Sequence, residues 1–251
     1  MMKDEAPAGE AVYGGRGRIG VIDLSTCTSL TAEYQLALPT GVLALFSRLR
    51  LPRGEVTAAA LDEMVSSERL EEAAAELADA GVGVIVFACT TGSLLHGPGF
   101  DREIAGRIES AVGVPATTTA TAVLGALQTL GVRRVAVGTP YVDDLNRRER
   151  AFLAAAGFEV VAMRGLGLLH DREIGDLSGQ AVRDLALAAD TDEADALFLS
   201  CTNLPALPLL AELEERLGKP AFTSNAATIW ETLRRVGGLP ARPGLGRLLS
   251  G

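Results

Sequence analysis

Two cysteines in this chain each close an apolar run and open a polar turn. The first run, Val84-Ile85-Val86-Phe87-Ala88, leads into Cys89-Thr90-Thr91-Gly92-Ser93. The second, Ala196-Leu197-Phe198-Leu199-Ser200, leads into Cys201-Thr202-Asn203. Each pattern predicts a buried parallel strand running into a turn and then a helix. The carboxyl end of such a strand faces the crevice where open α/β sheets bind ligands. The turn beyond it offers free backbone N–H groups, which suit an anion. A lone cysteine in such a place is most often a core residue, but two with the same Cys-Thr continuation point to chemistry. They suit one small anionic substrate held between them. A thiol beside a helix N-terminus is expected to have a lowered pKa, which favours work as a base or nucleophile.

Other residues gather at the same kind of position. Thr90, Thr91, Thr202 and Asn203 supply hydroxyl and amide donors, although such residues also serve as plain helix N-caps. Tyr141 ends Gly138-Thr139-Pro140-Tyr141, a turn expected to face the cleft, where its hydroxyl would meet substrate. Cys27, in Asp23-Leu24-Ser25-Thr26-Cys27-Thr28, occupies the matching turn earlier in the chain and is expected to line the site. His96 and His170 are expected to be structural.

The elements that must position these residues alternate between strand-like and helix-like, which means βαβ units. Strands are expected at 18–23, 43–49, 84–88, 115–118, 134–138, 159–164, 196–200 and 221–223. Helices are expected at 66–80, 121–130, 143–156 and 206–217. The chain reads as duplicated. Arg18-Ile19-Gly20-Val21-Ile22 resembles Arg134-Val135-Ala136-Val137-Gly138, and Gly113-Val114-Pro115-Ala116 resembles Gly218-Lys219-Pro220-Ala221. The partners keep their order and nearly their spacing. The fold class expected is therefore α/β, with two pseudo-symmetric parallel-sheet halves and the site in the cleft between them. The expected division is a flexible tail over 1–17, a first half over 18–125, a second half over 126–229, and 230–251 returning to the first half.

Composition narrows the function. A net charge of −9 disfavours nucleic acid and anionic membrane surfaces as partners. No apolar stretch is long enough to cross a bilayer, and the first residues carry no apolar signal core. A cytoplasmic location with reduced thiols is expected. The two histidines are far apart and no Cys-x-x-Cys spacing occurs, so no metal site is expected. The two lysines, Lys3 and Lys219, lie in a tail and a turn, so no Schiff-base cofactor is expected either. Gly15-Arg16-Gly17-Arg18-Ile19-Gly20 matches a dinucleotide fingerprint but precedes a strand instead of following one. Whether the chain forms a homo-oligomer is left open.

The chain resembles the aspartate/glutamate racemase superfamily, in its branch of arylmalonate decarboxylases and maleate cis–trans isomerases. The resemblance rests on the two cysteines, on Thr119-Ala120-Thr121-Ala122-Val123-Leu124, and on Leu130-Gly131-Val132-Arg133-Arg134-Val135-Ala136 running into Tyr141-Val142-Asp143-Asp144-Leu145-Asn146. The ending Arg242-Pro243-Gly244-Leu245-Gly246-Arg247-Leu248 also fits. It implies cofactor-independent chemistry next to a carboxylate, with Cys89 and Cys201 catalytic and the carboxylate held by Thr90, Thr91, Tyr141 and Thr202. Decarboxylases of the branch carry glycine where this chain has Cys89. Isomerases of the branch grip a second carboxylate with two asparagines; here those positions fall at Cys27 and near Asp171. An acidic residue there would repel a carboxylate or meet an ammonium group. The resemblance implies an isomerase or racemase of a small carboxylate. A decarboxylase, and a non-catalytic ligand-binding protein on the same scaffold, are the alternatives.

Overall fold

The computed structural model describes residues 12–250. The expected tail falls largely outside them, because residues 1–11, Lys3 included, are not described. Among the described residues eight strands form: β1 (Gly17–Leu24), β2 (Val42–Leu49), β3 (Val84–Phe87), β4 (Ala116–Thr118), β5 (Arg134–Thr139), β6 (Glu159–Gly165), β7 (Ala196–Leu199) and β8 (Ala221–Thr223). They make two four-stranded sheets with one topology, β2-β1-β3-β4 and β6-β5-β7-β8. Every pairing is parallel. The α/β class and the repeated architecture read from the sequence are therefore present.

The central strands are apolar throughout because helices cover both faces of each sheet. Val84, Ile85, Val86 and Phe87 are wholly buried, as are Ala196, Leu197, Phe198 and Leu199. Two glycines let helices close onto the strands. A Cβ on Gly138 would lie 2.8 Å from Leu199 Cδ2 and 3.2 Å from Leu185. One on Gly20 would lie 3.1 Å from Ile85 and 3.2 Å from Leu77.

Two helices expected from periodicity start later in the structure. The segment expected at 66–80 forms its helix over Arg69–Asp79. The one expected from 206 opens with a 3₁₀ turn, Leu207–Leu209, and becomes α-helical at Leu210–Leu217. Pro208 sits in that first turn, where N–H groups have no intrahelical partner and proline is tolerated. A third begins earlier than expected, at Thr119, because the Thr118 hydroxyl accepts from Thr121 N and caps it.

The halves meet along two equivalent helices, Thr119–Thr129 and Ser224–Arg235, which pack against each other. Thr119 Oγ1 and Thr228 Oγ1 hydrogen-bond across this seam at 3.0 Å. After the second helix the chain passes back over the first half, where Arg242 N donates to Ala37 O at 2.9 Å. It ends in a short helix, Arg247–Ser250, that rests against β8. On another side, the loops after β2 and β6 touch. Glu55 and His170 form an antiparallel bridge, and Val56 N donates to Leu169 O at 2.7 Å.

Gly138→Val should lose about 1–3 kcal/mol of stability, the usual cost of overpacking a filled core. Gly106 lies in helix Phe100–Val112 with nothing within 4 Å of a built Cβ. Gly106→Ala should be neutral or stabilising by up to about 1 kcal/mol. Urea unfolding of both variants measures the contrast, and equal losses would refute this account of the packing.

Candidate active site

Cys89 and Cys201 stand at matching places, just past the ends of β3 and β7. Cys89 is the N-cap of helix Thr90–Leu94, and its sulfur accepts from Gly92 N at 3.3 Å. Cys201 Sγ accepts from Asn203 N at 3.4 Å. Its φ of +123° is one a non-glycine residue rarely adopts, so strain accompanies this turn. One hydroxyl ties the two turns together. Ser224 Oγ accepts from Thr90 Oγ1 at 2.9 Å and from Cys201 N at 3.0 Å. The thiols are within electrostatic reach, since charge on Cys89 raises the Cys201 pKa.

Tyr141 completes the wall on the second half. Its backbone turn is locked by Asn146, whose Nδ2 donates to Tyr141 O at 3.2 Å and whose Oδ1 accepts from Thr139 Oγ1 at 2.5 Å. Gly165 is required beside it, because a Cβ there would lie 2.9 Å from Tyr141 O. The Tyr141 hydroxyl interacts with both Cys201 and Ser200.

The loop holding Cys27 reaches across from the first half. Cys27 Sγ donates to Thr202 O at 3.6 Å. Thr26 Oγ1 donates to Asp171 Oδ2 at 2.6 Å. Asn203 ties two chain segments together: Oδ1 accepts from Thr28 N at 2.9 Å and Ser29 N at 3.2 Å, while Nδ2 donates to Asp171 O at 2.7 Å. A Cβ on Gly175 would lie 2.6 Å from Thr28 Oγ1, so only glycine lets these loops close. Arg48 anchors the Cys27 loop from behind, donating to Cys27 O at 2.8 Å. All nine residues singled out in the sequence thus fall in one connected region. Within it the Asn203 amide is occupied by protein partners, and Thr202 engages through its backbone carbonyl, which also accepts from Asn225 Nδ2 at 2.8 Å. His96 lies elsewhere, paired with Asp62 at 2.8 Å, and His170 stands just outside in the bridge to Glu55.

The expected lowering of the thiol pKa values is overturned. Cys89 is 3% exposed and Cys201 5%. Burial pushes Cys89 up to about 12, and burial pushes Cys201 well up as well. The short helix and its amide donors oppose this but do not outweigh desolvation. Cys27 is likewise raised by burial, with Asp23 adding to it.

Sequence reasoning missed Asp23, Ser224 and Glu149. Asp23 is buried, its Oδ1 accepts from Leu24 N at 2.7 Å and its Oδ2 has no partner. Burial raises it to about 7. Its place near the carboxyl end of β1 was the available signal. Ser224 stands in the second half where Thr119 stands in the first, which the repeat alone would have flagged. Asp171 is also raised by burial, so both acids of this wall are held toward their neutral forms. Among the described residues, no three His, Cys, Asp or Glu side chains gather as a metal site.

Two like four-stranded parallel sheets, each with a thiol just past the end of its third strand, are the architecture of an aspartate/glutamate racemase-like protein. The chain belongs to the arylmalonate decarboxylase family, whose model matches residues 44–249. It is 36% identical over 198 residues to arylmalonate decarboxylase of Bordetella bronchiseptica, covering 78% of this chain and 82% of that protein. It is 32% identical over 247 residues to maleate isomerase of Nocardia farcinica, covering 94% and 96%. A liganded arylmalonate decarboxylase carrying glycine-to-cysteine and cysteine-to-serine mutations superposes with a TM-score of 0.86, at 33% identity over 93% of this chain and 98% of that one. A cysteine-to-serine mutant of the Nocardia farcinica maleate cis–trans isomerase, holding a covalently bound succinylcysteine intermediate, gives a TM-score of 0.86 at 28% identity, covering 93% and 98%.

The buried acids set a pH dependence of stability. Glu33, at the seam, is raised by burial from 4.5 to about 7. An acid whose pKa is raised on folding keeps its proton in the folded state where the unfolded chain releases it. Stability therefore falls as pH rises from 4.5 to about 7 and then levels off. Thermal unfolding should show a lower Tm at pH 7 than at pH 5, with a shallower slope in Asp23→Asn. A Tm that rises over that interval would contradict the direction.

Proposed function

We propose that this protein is a cofactor-independent isomerase or racemase of a small carboxylate, with Cys89 and Cys201 as its two acid–base groups. The observation that carries this reading is the pairing of two thiols at equivalent strand ends, joined through Ser224. In the reaction, one thiolate takes the proton from the carbon beside the carboxylate. The C–H bond breaks, an S–H bond forms, and the electron pair passes into the carboxylate as an enediolate. The opposite thiol gives its proton to the other face of that carbon. Thr90, Thr91 and Tyr141 hold the carboxylate and stabilise the charge that develops on it. For a cis–trans isomerisation, one thiolate adds to the double bond while the second thiol gives its proton to the neighbouring carbon; after rotation about the resulting single bond the second sulfur takes a proton back from that carbon, the double bond re-forms, and the C–S bond breaks to release the first thiolate. The covalent succinylcysteine of the maleate isomerase relative supports that use of a cysteine.

Decarboxylation is the second reading, and the 36% identity to arylmalonate decarboxylase favours it. Against it stands Cys89: one-faced protonation needs a single thiol, and the arylmalonate decarboxylase structure acquires a cysteine from glycine only by mutation.

Candidate amino acids, maleate and arylmalonates incubated with the enzyme in D₂O separate these readings. Expected is α-deuterium exchange or cis–trans conversion, lost by about 10²-fold or more in Cys89→Ser and in Cys201→Ser. The rate should climb with pH through neutrality, because a thiol raised to about 12 gains thiolate roughly tenfold per pH unit. Release of CO₂ from an arylmalonate that persists in Cys89→Gly and vanishes in Cys201→Ser would replace this reading with a decarboxylase.

A further inference from the structure

Behind Cys201 lies a buried carboxyl that the proposed chemistry does not use. Glu149, on helix Asp143–Ala155, is 1% exposed, and neither of its carboxylate oxygens has a hydrogen-bond partner. The Oγ of its neighbour Ser200 is also buried without a partner. Ser200 directly precedes Cys201, and both Ser200 and Glu149 act on Tyr141, whose hydroxyl meets Cys201.

The duplication shows how unusual this is. Glu33 is separated from Glu149 by the same interval that separates Ile19 from Val135, so the two acids are counterparts. Glu33 is satisfied: Oε1 accepts from Leu207 N at 2.9 Å and Oε2 from Asn225 Nδ2 at 2.7 Å. Glu33 therefore braces the chain that follows Cys201. Glu149 has no backbone or amide donor of that kind; the nearby Ser200 hydroxyl alone eases its burial, without outweighing it. A buried carboxyl so poor in donors is strongly disfavoured as an anion and keeps its proton.

We propose that Glu149 is a positioning residue for the second thiol, a neutral carboxyl that keeps the wall behind Ser200 and Tyr141 free of fixed charge so that Cys201 can carry the anion. Burial holds Glu149 up to about 7, and charge on it raises Tyr141. Ionising Glu149 would add a buried negative charge beside the group that must become one. The surroundings offer nothing to neutralise it. The Thr90–Leu94 helix packed against its own helix has no ionisable side chain beyond its cap, Cys89. On β6, Glu159 and Arg164 are exposed. Arg148 and Arg150 of its own helix turn away, to Leu95 O and Val160 O.

The inference rests on the two-thiol reading only for the choice of Cys201, and its test needs no substrate. Iodoacetamide alkylation of the whole protein, followed peptide by peptide across pH, reads each thiol separately. In the wild type, the gain in Cys201 reactivity should slacken above about pH 7 as Glu149 ionises. In Glu149→Gln it should keep climbing, to about tenfold faster than wild type near pH 9, with Cys89 and Cys27 changed less than about twofold. Superimposed Cys201 profiles would overturn the proposal, and so would equal acceleration of all three thiols, which marks a loosened fold. If Glu149→Gln does not fold, carbon NMR of wild-type protein labelled at its glutamate carboxyls decides instead. Two glutamate carboxyls titrating near 7, one each from Glu33 and Glu149, support the proposal; one alone, or none, would overturn it.

Discussion

A thiolate, a tyrosinate and several carboxylates would all be anions, and the space between the two sheets excludes the water that would let them coexist. Removing charge from water costs several kcal/mol per unpaired ion, more than a single amide donor or a one-turn helix returns. The groups therefore hold their protons: Asp23, Glu33 and Glu149 are each raised to about 7, and the thiols higher still. Protonated groups thus stand close to the two buried thiols.

The same loss of water makes every remaining polar contact costly to break. Asn203 gathers the Cys27 loop and Asp171 around itself, and Ser224 gathers Thr90 and Cys201. These ties run between segments far apart in the chain. They hold two turns, each shaped by its own sheet, in one mutual arrangement. The seam of Thr119–Thr129 on Ser224–Arg235 sets the approach of the halves, and the polar ties set the register of the turns across it.

Much of this was legible in the residues. Eight strands could be read because parallel strands buried on both faces are continuous apolar runs, and both thiols could be placed because they end two of them. One boundary failed where a single side chain decides it: the Thr118 cap draws that helix start earlier. The sign of the thiol shift failed for a different reason. The favourable helix terminus is visible in the sequence, whereas the depth of burial that outweighs it arises only when two halves close on each other. Glu149 was hidden in the same way: an acid in Asp143–Ala155 reads as a solvated helix face until its helix is seen packed beneath the turn of the other half.

The bridge between the loops after β2 and β6 is made by main-chain atoms, with Val56 N on Leu169 O and Glu55 beside His170. Every residue except proline brings the same amide and carbonyl to such a contact. The latch is therefore indifferent to the side chains it carries. Residues of these two loops can be exchanged for larger, smaller or oppositely charged ones without unfastening the contact, so the side chains presented there and the contact itself can be altered independently.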